Sequence, residues 1–275
     1  LINSGEQFIS SVDVRDDSLD AFDDLVIFAQ EKKLLSSTSS AVSSRRPANA
    51  VLAALPDDEY ARIAPQLRPL HLKLGTMLHA PGEVVKRVYF PISGIISCVL
   101  ISDEGTEVEV GLIGREGAAC ALSALTGIKN PMQIVAQSSG DAWFLTADQL
   151  QSEFARGGVL QQEILRHVQL FSEQTGQIAL CNRLHSIEER LARWLLMVQD
   201  RVNSDQLDLT QEFLADMLGS RRAGVTLAAG ALKKAGFIKY TRGKITILDR
   251  PGLEEVACEC YDVLREQFQN AFIEQ

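Results

Sequence analysis

Glycine-punctuated runs of alternating residues between Leu70 and Leu145, an unbroken helical stripe from Leu160 to Ile178, and a helix–glycine–helix–hairpin order between Leu209 and Leu248 predict an α+β chain. Its parts read as an antiparallel, jelly-roll-like β-roll, a long helix, a winged helix-turn-helix and a C-terminal helix. The boundaries fall at 1–46 for an acidic extension and Ser-rich linker, 47–157 for the β-roll, and 158–185 for the long helix and a hinge. Residues 186–252 form the winged domain and 253–275 the last helix.

A length of 275 residues with 46% hydrophobic content supports two domains with real cores. No apolar run approaches the roughly 20 residues that span a bilayer, and no signal peptide is visible, so a cytoplasmic protein without a membrane partner is expected. Five scattered cysteines, Cys98, Cys120, Cys181, Cys258 and Cys260, suit a reducing compartment. Cys258-Glu-Cys260 is not a zinc spacing and reads as two positions on a terminal helix, and His71, His79, His167 and His185 make no ligand motif. No metal, no cofactor and no nucleophile–base pair is expected, which excludes most enzyme classes.

From Leu1 to Leu35 the chain carries eight acidic and three basic residues, with Leu19, Phe22, Leu25, Val26 and Ala29 on one potential helical face. Ser36 to Ser40 and Ser43-Ser44-Arg45-Arg46 read as a linker. Short helices follow around Ala48–Leu55 and after Pro56. Strand signals then recur with turns at Gly75, Pro81-Gly82, Ser93-Gly94 and Asp103-Glu104-Gly105, and a strand pair is expected from Gln133–Ser138 and Asp141–Leu145.

Leu160, Ile164, Val168, Phe171, Thr175 and Ile178 recur at spacings of three and four. Such a stripe suits a partner helix across a two-fold axis and the face of the β-roll, and a helix this long is expected to serve both. Ser186 and Glu189 then form a capping box that restarts the helix after a hinge near Asn182–His185.

In Leu209 to Leu248, Thr210 is positioned to cap a helix whose apolar face is Phe213, Leu214, Met217 and Leu218. Ala215 permits close helix approach, Gly219 supplies a positive φ in the turn, and Val225 packs the second helix back on the first. Ser220 is the expected cap of that second helix. Phe237–Thr241 and Ile245–Leu248 flank Arg242-Gly243-Lys244 as a hairpin. From Asp205 to Arg250, eight Lys or Arg against five Asp or Glu give +3 within a chain of net −9. Arg221 and Arg222 would meet base edges at the start of the second helix. Thr210, Ser220, Thr226, Lys233, Arg242 and Lys244 suit phosphates.

The order Gly75-x-x-Leu78-x-x-Pro81-Gly82-Glu83, then Tyr89-Phe90-Pro91-x-x-Gly94, resembles the cyclic-nucleotide-binding β-roll. Joined to the winged helix, the layout from about Pro47 to Gly252 resembles the Crp/Fnr family of bacterial transcription regulators. The resemblance implies a homodimer formed by the long helix, double-stranded DNA read at two half-sites, and RNA polymerase as a further partner. It implies an effector region at Arg115, Glu116, Met132, Gln133 and Thr175. Family members that bind cyclic nucleotides hold the phosphate with a Gly-Glu-rich turn and an arginine after a proline. Here the turn is Gly114-Arg115-Glu116-Gly117-Ala118-Ala119, and Met132 follows Pro131. No cysteine precedes Cys98, so the N-terminal cluster of iron–sulfur members is missing from this sequence. On the recognition helix, Ala223 and Leu227 replace an acidic residue and a second arginine. The expectation is a DNA-binding regulator with an unknown small-molecule effector that is not a cyclic nucleotide. The alternative is a ligand-sensing or protein-interaction module whose helix-turn-helix no longer reads an operator.

Overall fold

The computed structural model describes residues 46, 48–209, 211–241 and 243–273; the acidic extension, Thr210 and Arg242 lie outside them. Helices α1 (Ala50–Ala53) and α2 (Asp57–Ile63) lead into strands β1 (Arg68–Leu72), β2 (Met77–His79), β3 (Arg87–Pro91), β4 (Ile96–Ile101) and β5 (Glu107–Ile113). Helix α3 (Ala121–Thr126), strands β6 (Gln133–Ala136) and β7 (Gly140–Thr146), and helix α4 (Ala147–Phe154) complete the β-roll.

The strands form two antiparallel sheets, ordered β1-β7-β3 and β2-β6-β4-β5. Leu70, Leu72, Ile96, Ile113, Ile134 and Phe144 fill the space between them. The expected pairing of the last two strands is corrected. Strand β6 pairs with β2 and β4, and β7 pairs with β1 and β3, so the intervening chain changes sheets. Glycine makes that crossing possible: a Cβ on Gly140 would fall 2.3 Å from the Ser93 carbonyl oxygen, and one on Gly94 would fall 3.1 Å from that of Ser139.

Helix α5 (Val159–Leu184) follows. Its N-cap, Gly158, has no side chain to satisfy the first turn. Glu59 does so from α2, accepting hydrogen bonds from Val159 N at 2.9 Å and Leu160 N at 3.0 Å. At mid-helix, Gln174 extends the edge of β5: its Oε1 accepts from Leu112 N at 2.6 Å and its Nε2 donates to Leu112 O. His185 ends the helix in extended conformation, and the Ser186/Glu189 capping box opens α6 (Ile187–Val202) as expected.

Strand β8 (Gln206–Asp208), helices α7 (Gln211–Met217) and α8 (Arg222–Lys234), and strands β9 (Ile238–Thr241) and β10 (Lys244–Ile247) form the winged domain. The hairpin forms as anticipated. Strand β8, too short to carry a periodic signal, adds a third strand, giving the order β8-β10-β9. The single terminal helix expected at 253–275 is instead two, α9 (Arg250–Val256) and α10 (Cys260–Ile273), with Cys258 in the break between them.

One hydrophobic cluster runs from the β-roll into the winged domain, joining Ile95, Val99 and Leu112 to Leu195, Leu214 and Val225. Trp194 Nε1 donates to Glu109 Oε1 at 2.7 Å, and a Cβ on Gly219 would meet Val108 at 3.0 Å. The turn of the helix-turn-helix is therefore seated against β5.

Candidate functional site

Helix α8 divides cleanly. Val225, Ala228, Ala229 and Leu232 are buried against α6 and α7, which leaves Arg222, Ala223, Thr226, Leu227, Gly230 and Lys233 exposed along the outer face. Gly219 takes φ +54°, Ala215 is 6% exposed and Val225 fully buried, so the three positions do what their spacing suggested. Ser220 does not cap the helix. Arg221 holds the cap position in extended conformation without a side-chain cap bond, because the turn runs one residue longer. The Thr226 hydroxyl donates to the Arg222 carbonyl at 2.9 Å, which directs its proton inward. Lys244, opposite Asp208 in the wing sheet, approaches its carboxylate at 3.5 Å, a solvent-exposed pair of little strength.

A cavity of about 440 Å³ lies between β4–β6, α3 and α5. Cys98, Ile113, Ala118, Met132, Ile134 and Phe171 give it apolar walls, and Ser123, Ser172 and Thr175 add hydroxyl-bearing side chains. Among the described residues, no Lys, Arg, Asp or Glu lines it. His167 does, but burial pulls its pKa down to about 4, against the pull of Glu116 and a hydrogen bond to Ala118, so it is neutral at pH 7. Of the candidate effector residues, Met132 and Thr175 line this cavity, and Arg115, Glu116 and Gln133 do not. Arg115 stacks on Phe272 with 4.9 Å to the ring centroid, and Glu116 accepts from Arg201 Nε at 2.8 Å. Gln133 sits on β6 opposite Val99. Helices α6 and α10 recruit the two charges because they cover the turn at 114–117.

Of the two roles expected of the stripe, packing on the β-roll is the one its residues take within a single chain. Leu160 and Ile164 are buried in the core shared with α1, α2 and β3, and Ile178 is 5% exposed. Phe171 lies so close to Gly111 that a Cβ there would be 2.4 Å from its ring, while Val168 and Thr175 are half-buried at the cavity. Periodicity located an apolar face, and the β-roll occupies it. The outward face of α5 carries Leu165, Gln169, Ser172, Gly176, Ala179 and Leu180. Leu165 and Leu180 are 54% and 42% exposed.

A grouping that spacing alone did not show occurs where α5 ends. Cys181, His185, Cys258 and Cys260 place one ligand-type atom each within 4.8 Å of all the others. The three cysteines are buried and not disulfide-bonded. Cys181 and His185 are one helical turn apart, and the break between α9 and α10 brings the other pair onto them. The sequence shows no ligand motif among these residues, and the fold brings the four together.

A β-roll enclosing a cavity, joined by a long helix to a winged helix-turn-helix, defines the class of regulators that couple a sensor-type domain to a DNA reader. A cyclic nucleotide-binding domain model matches residues 69–156 and a Crp-like helix-turn-helix domain model matches 189–256, together more than half of the chain. The chain belongs to the Crp/Fnr family of transcription regulators. It is 26% identical over 177 residues to the global nitrogen regulator of Nostoc sp., covering 61% of this chain and 79% of that protein. The corresponding Synechocystis sp. protein is 25% identical, with 61% and 78% covered. A transcriptional regulator of the CRP/FNR family from Thermus thermophilus shares the fold, with TM-score 0.59, 22% identity, and 69% and 98% of the two chains covered. No described helix is long and apolar enough to cross a membrane.

Proposed function

We propose that this regulator acts as a homodimer that reads paired half-sites in double-stranded DNA through α8. The observation that carries this reading is the outer face of α8, where Arg222, Thr226 and Lys233 lie exposed on a helix whose opposite side is fully buried. Arg222, in the first turn, is the base-reading residue, suited to a bidentate contact with guanine. Leu227, 76% exposed, is an apolar group placed to meet a thymine methyl. Arg221, Lys233 and Lys244 contact phosphates, and Thr210, Ser220, Thr226 and Arg242 complete the candidate set from sequence. A second copy packs on Leu165, Gln169, Ser172, Gly176, Ala179 and Leu180. From Leu165 to Ala179 these positions recur at alternating separations of four and three, and the small side chains permit close approach. RNA polymerase is the further partner that family membership suggests.

The effector, in this reading, is small and largely apolar. Burying a phosphate in a cavity that no Lys or Arg lines among the described residues is costly, and Arg115, in the turn at 114–117, stacks on Phe272. Selection of bound sequences from random duplexes tests the core of the proposal. A two-fold-related motif is expected, and Arg222→Ala should flatten its preference by about 1–3 kcal/mol. Recovery of no motif would support a helix-turn-helix that has lost operator recognition.

A further inference from the structure

We propose that Cys181, His185, Cys258 and Cys260 form a tetrahedral site for one Zn(II) ion, which fastens the C-terminal helices to the break between α5 and α6. The geometry is that of a single ion. With Zn–S near 2.3 Å and Zn–N near 2.0–2.1 Å, a tetrahedron requires S···S of about 3.8 Å and S···N of about 3.6 Å. The Cys181 and Cys258 sulfurs are 3.4 Å apart, and Cys260 Sγ is 3.5 Å from His185 Nδ1. An iron–sulfur cluster would hold its cysteine sulfurs farther apart, since several irons and bridging sulfides lie between them.

Two further observations surround the four ligands. His185 Nε2 lies 3.2 Å from Glu259 Oε1, so the carboxylate holds the proton on Nε2 and leaves Nδ1 facing the sulfurs. Gln177 Nε2 is 3.0 Å from Cys260 Sγ, an amide donor to a thiolate. Charge agrees as well. Three thiolates and a neutral imidazole around Zn(II) carry one net negative charge. Arg190 and Arg193, 7% and 2% exposed, stand on the adjoining first turns of α6, and neither forms an ion pair among the described residues. Each has a buried Nε without a hydrogen-bond partner. An anionic metal centre supplies counter-charge to these guanidinium groups, in addition to the Glu109 carboxyl that Arg193 faces.

The site joins segments far apart in sequence: the last turn of α5, its C-cap, and the turn from α9 into α10. Zinc here sets the angle at which α6 and the winged domain leave the long helix. The thiols must ionise to bind, so loading releases protons and requires reduced cysteines.

The test uses the full chain purified under reducing conditions. Elemental analysis should find one zinc per chain. Replacement by Co(II) should give the intense visible bands of tetrahedral coordination together with sulfur-to-cobalt charge transfer. Cys181→Ser and Cys260→Ser should each lose that spectrum, whereas Cys98→Ser and Cys120→Ser should keep it. If the first two variants do not fold, the wild-type cobalt spectrum and a rise in its melting temperature on adding Zn(II) decide the matter. Reduced wild-type protein that retains no zinc or cobalt on dialysis would overturn the proposal. So would a Cys181–Cys258 disulfide as the state in reduced cells, iron with acid-labile sulfide, or a cobalt spectrum unchanged in both serine variants. None of these readouts depends on DNA binding.

Discussion

Replacing Glu109 with Gln should change how stability depends on pH, in a direction set by two buried groups of opposite sign. Glu109 is 3% exposed where β5 meets α6. Its Oε1 accepts from Trp194 Nε1, and the Ser97 hydroxyl lies 2.6 Å from its Oε2. Burial pushes its carboxyl up from 4.5 to about 7, despite those hydrogen bonds and the charges of Arg193 and Arg201. A raised folded-state pKa means that its contribution is complete below pH 4.5 and is lost as pH climbs through about 7. The loss is about 3 kcal/mol. Buried His167, with its pKa lowered from 6.5 to about 4, does the reverse. Its contribution is complete above pH 6.5 and is lost as pH falls towards about 4, again by about 3 kcal/mol. Between roughly pH 4.5 and 6.5 the two slopes oppose each other and nearly cancel. Glutamine preserves the shape and the hydrogen bonds but does not titrate. Urea unfolding across this range should therefore show that the variant gains on the wild type by about 3 kcal/mol as pH rises from about 4.5 to 7. Other titrating groups are common to both proteins and drop out of the difference. A difference independent of pH would refute the reasoning, because Glu109 would then be ionised in the folded protein throughout.

Three further outcomes are expected. Glu59→Ala removes both hydrogen bonds at the N-terminus of α5 and should cost about 2 kcal/mol in unfolding free energy; a loss too small to measure would mean that water caps that turn equally well. Leu180→Glu places charges on the outward face of α5 and should give monomers in sedimentation, with the thermal transition of the separate chain preserved; wild-type protein that is monomeric at micromolar concentration removes the basis for the dimer. Calorimetric titration with cyclic AMP and cyclic GMP should show affinity no better than roughly millimolar, near −4 kcal/mol. Micromolar binding lost on Arg115→Ala would place a phosphate anchor where the structure shows a cation on Phe272.

Features that depend on neighbours along the chain are legible in the residues alone. Ala215, Gly219 and Val225 specify the helix-turn-helix through backbone conformation and close packing, and Ser186 with Glu189 specifies where α6 begins. The glycine corners mark the β-roll for the same reason. A Thr146/Gln149 capping box likewise opens α4, and it is legible in the pattern Thr-Ala-Asp-Gln. Which body covers each face, and which distant groups meet, emerges only from the packed fold. The stripe from Leu160 to Ile178 is apolar whichever body it packs on, and periodicity does not name that body. Arg115 and Glu116 turn away from the cavity because α6 and α10 offer Arg201 and Phe272. Glu59 caps a helix that begins a hundred residues later. Cys258 and Cys260 have no ligand spacing in the chain, yet the break before α10 carries them to Cys181 and His185. Side-chain direction is set by packing, and packing joins residues whose separation in sequence carries no signal.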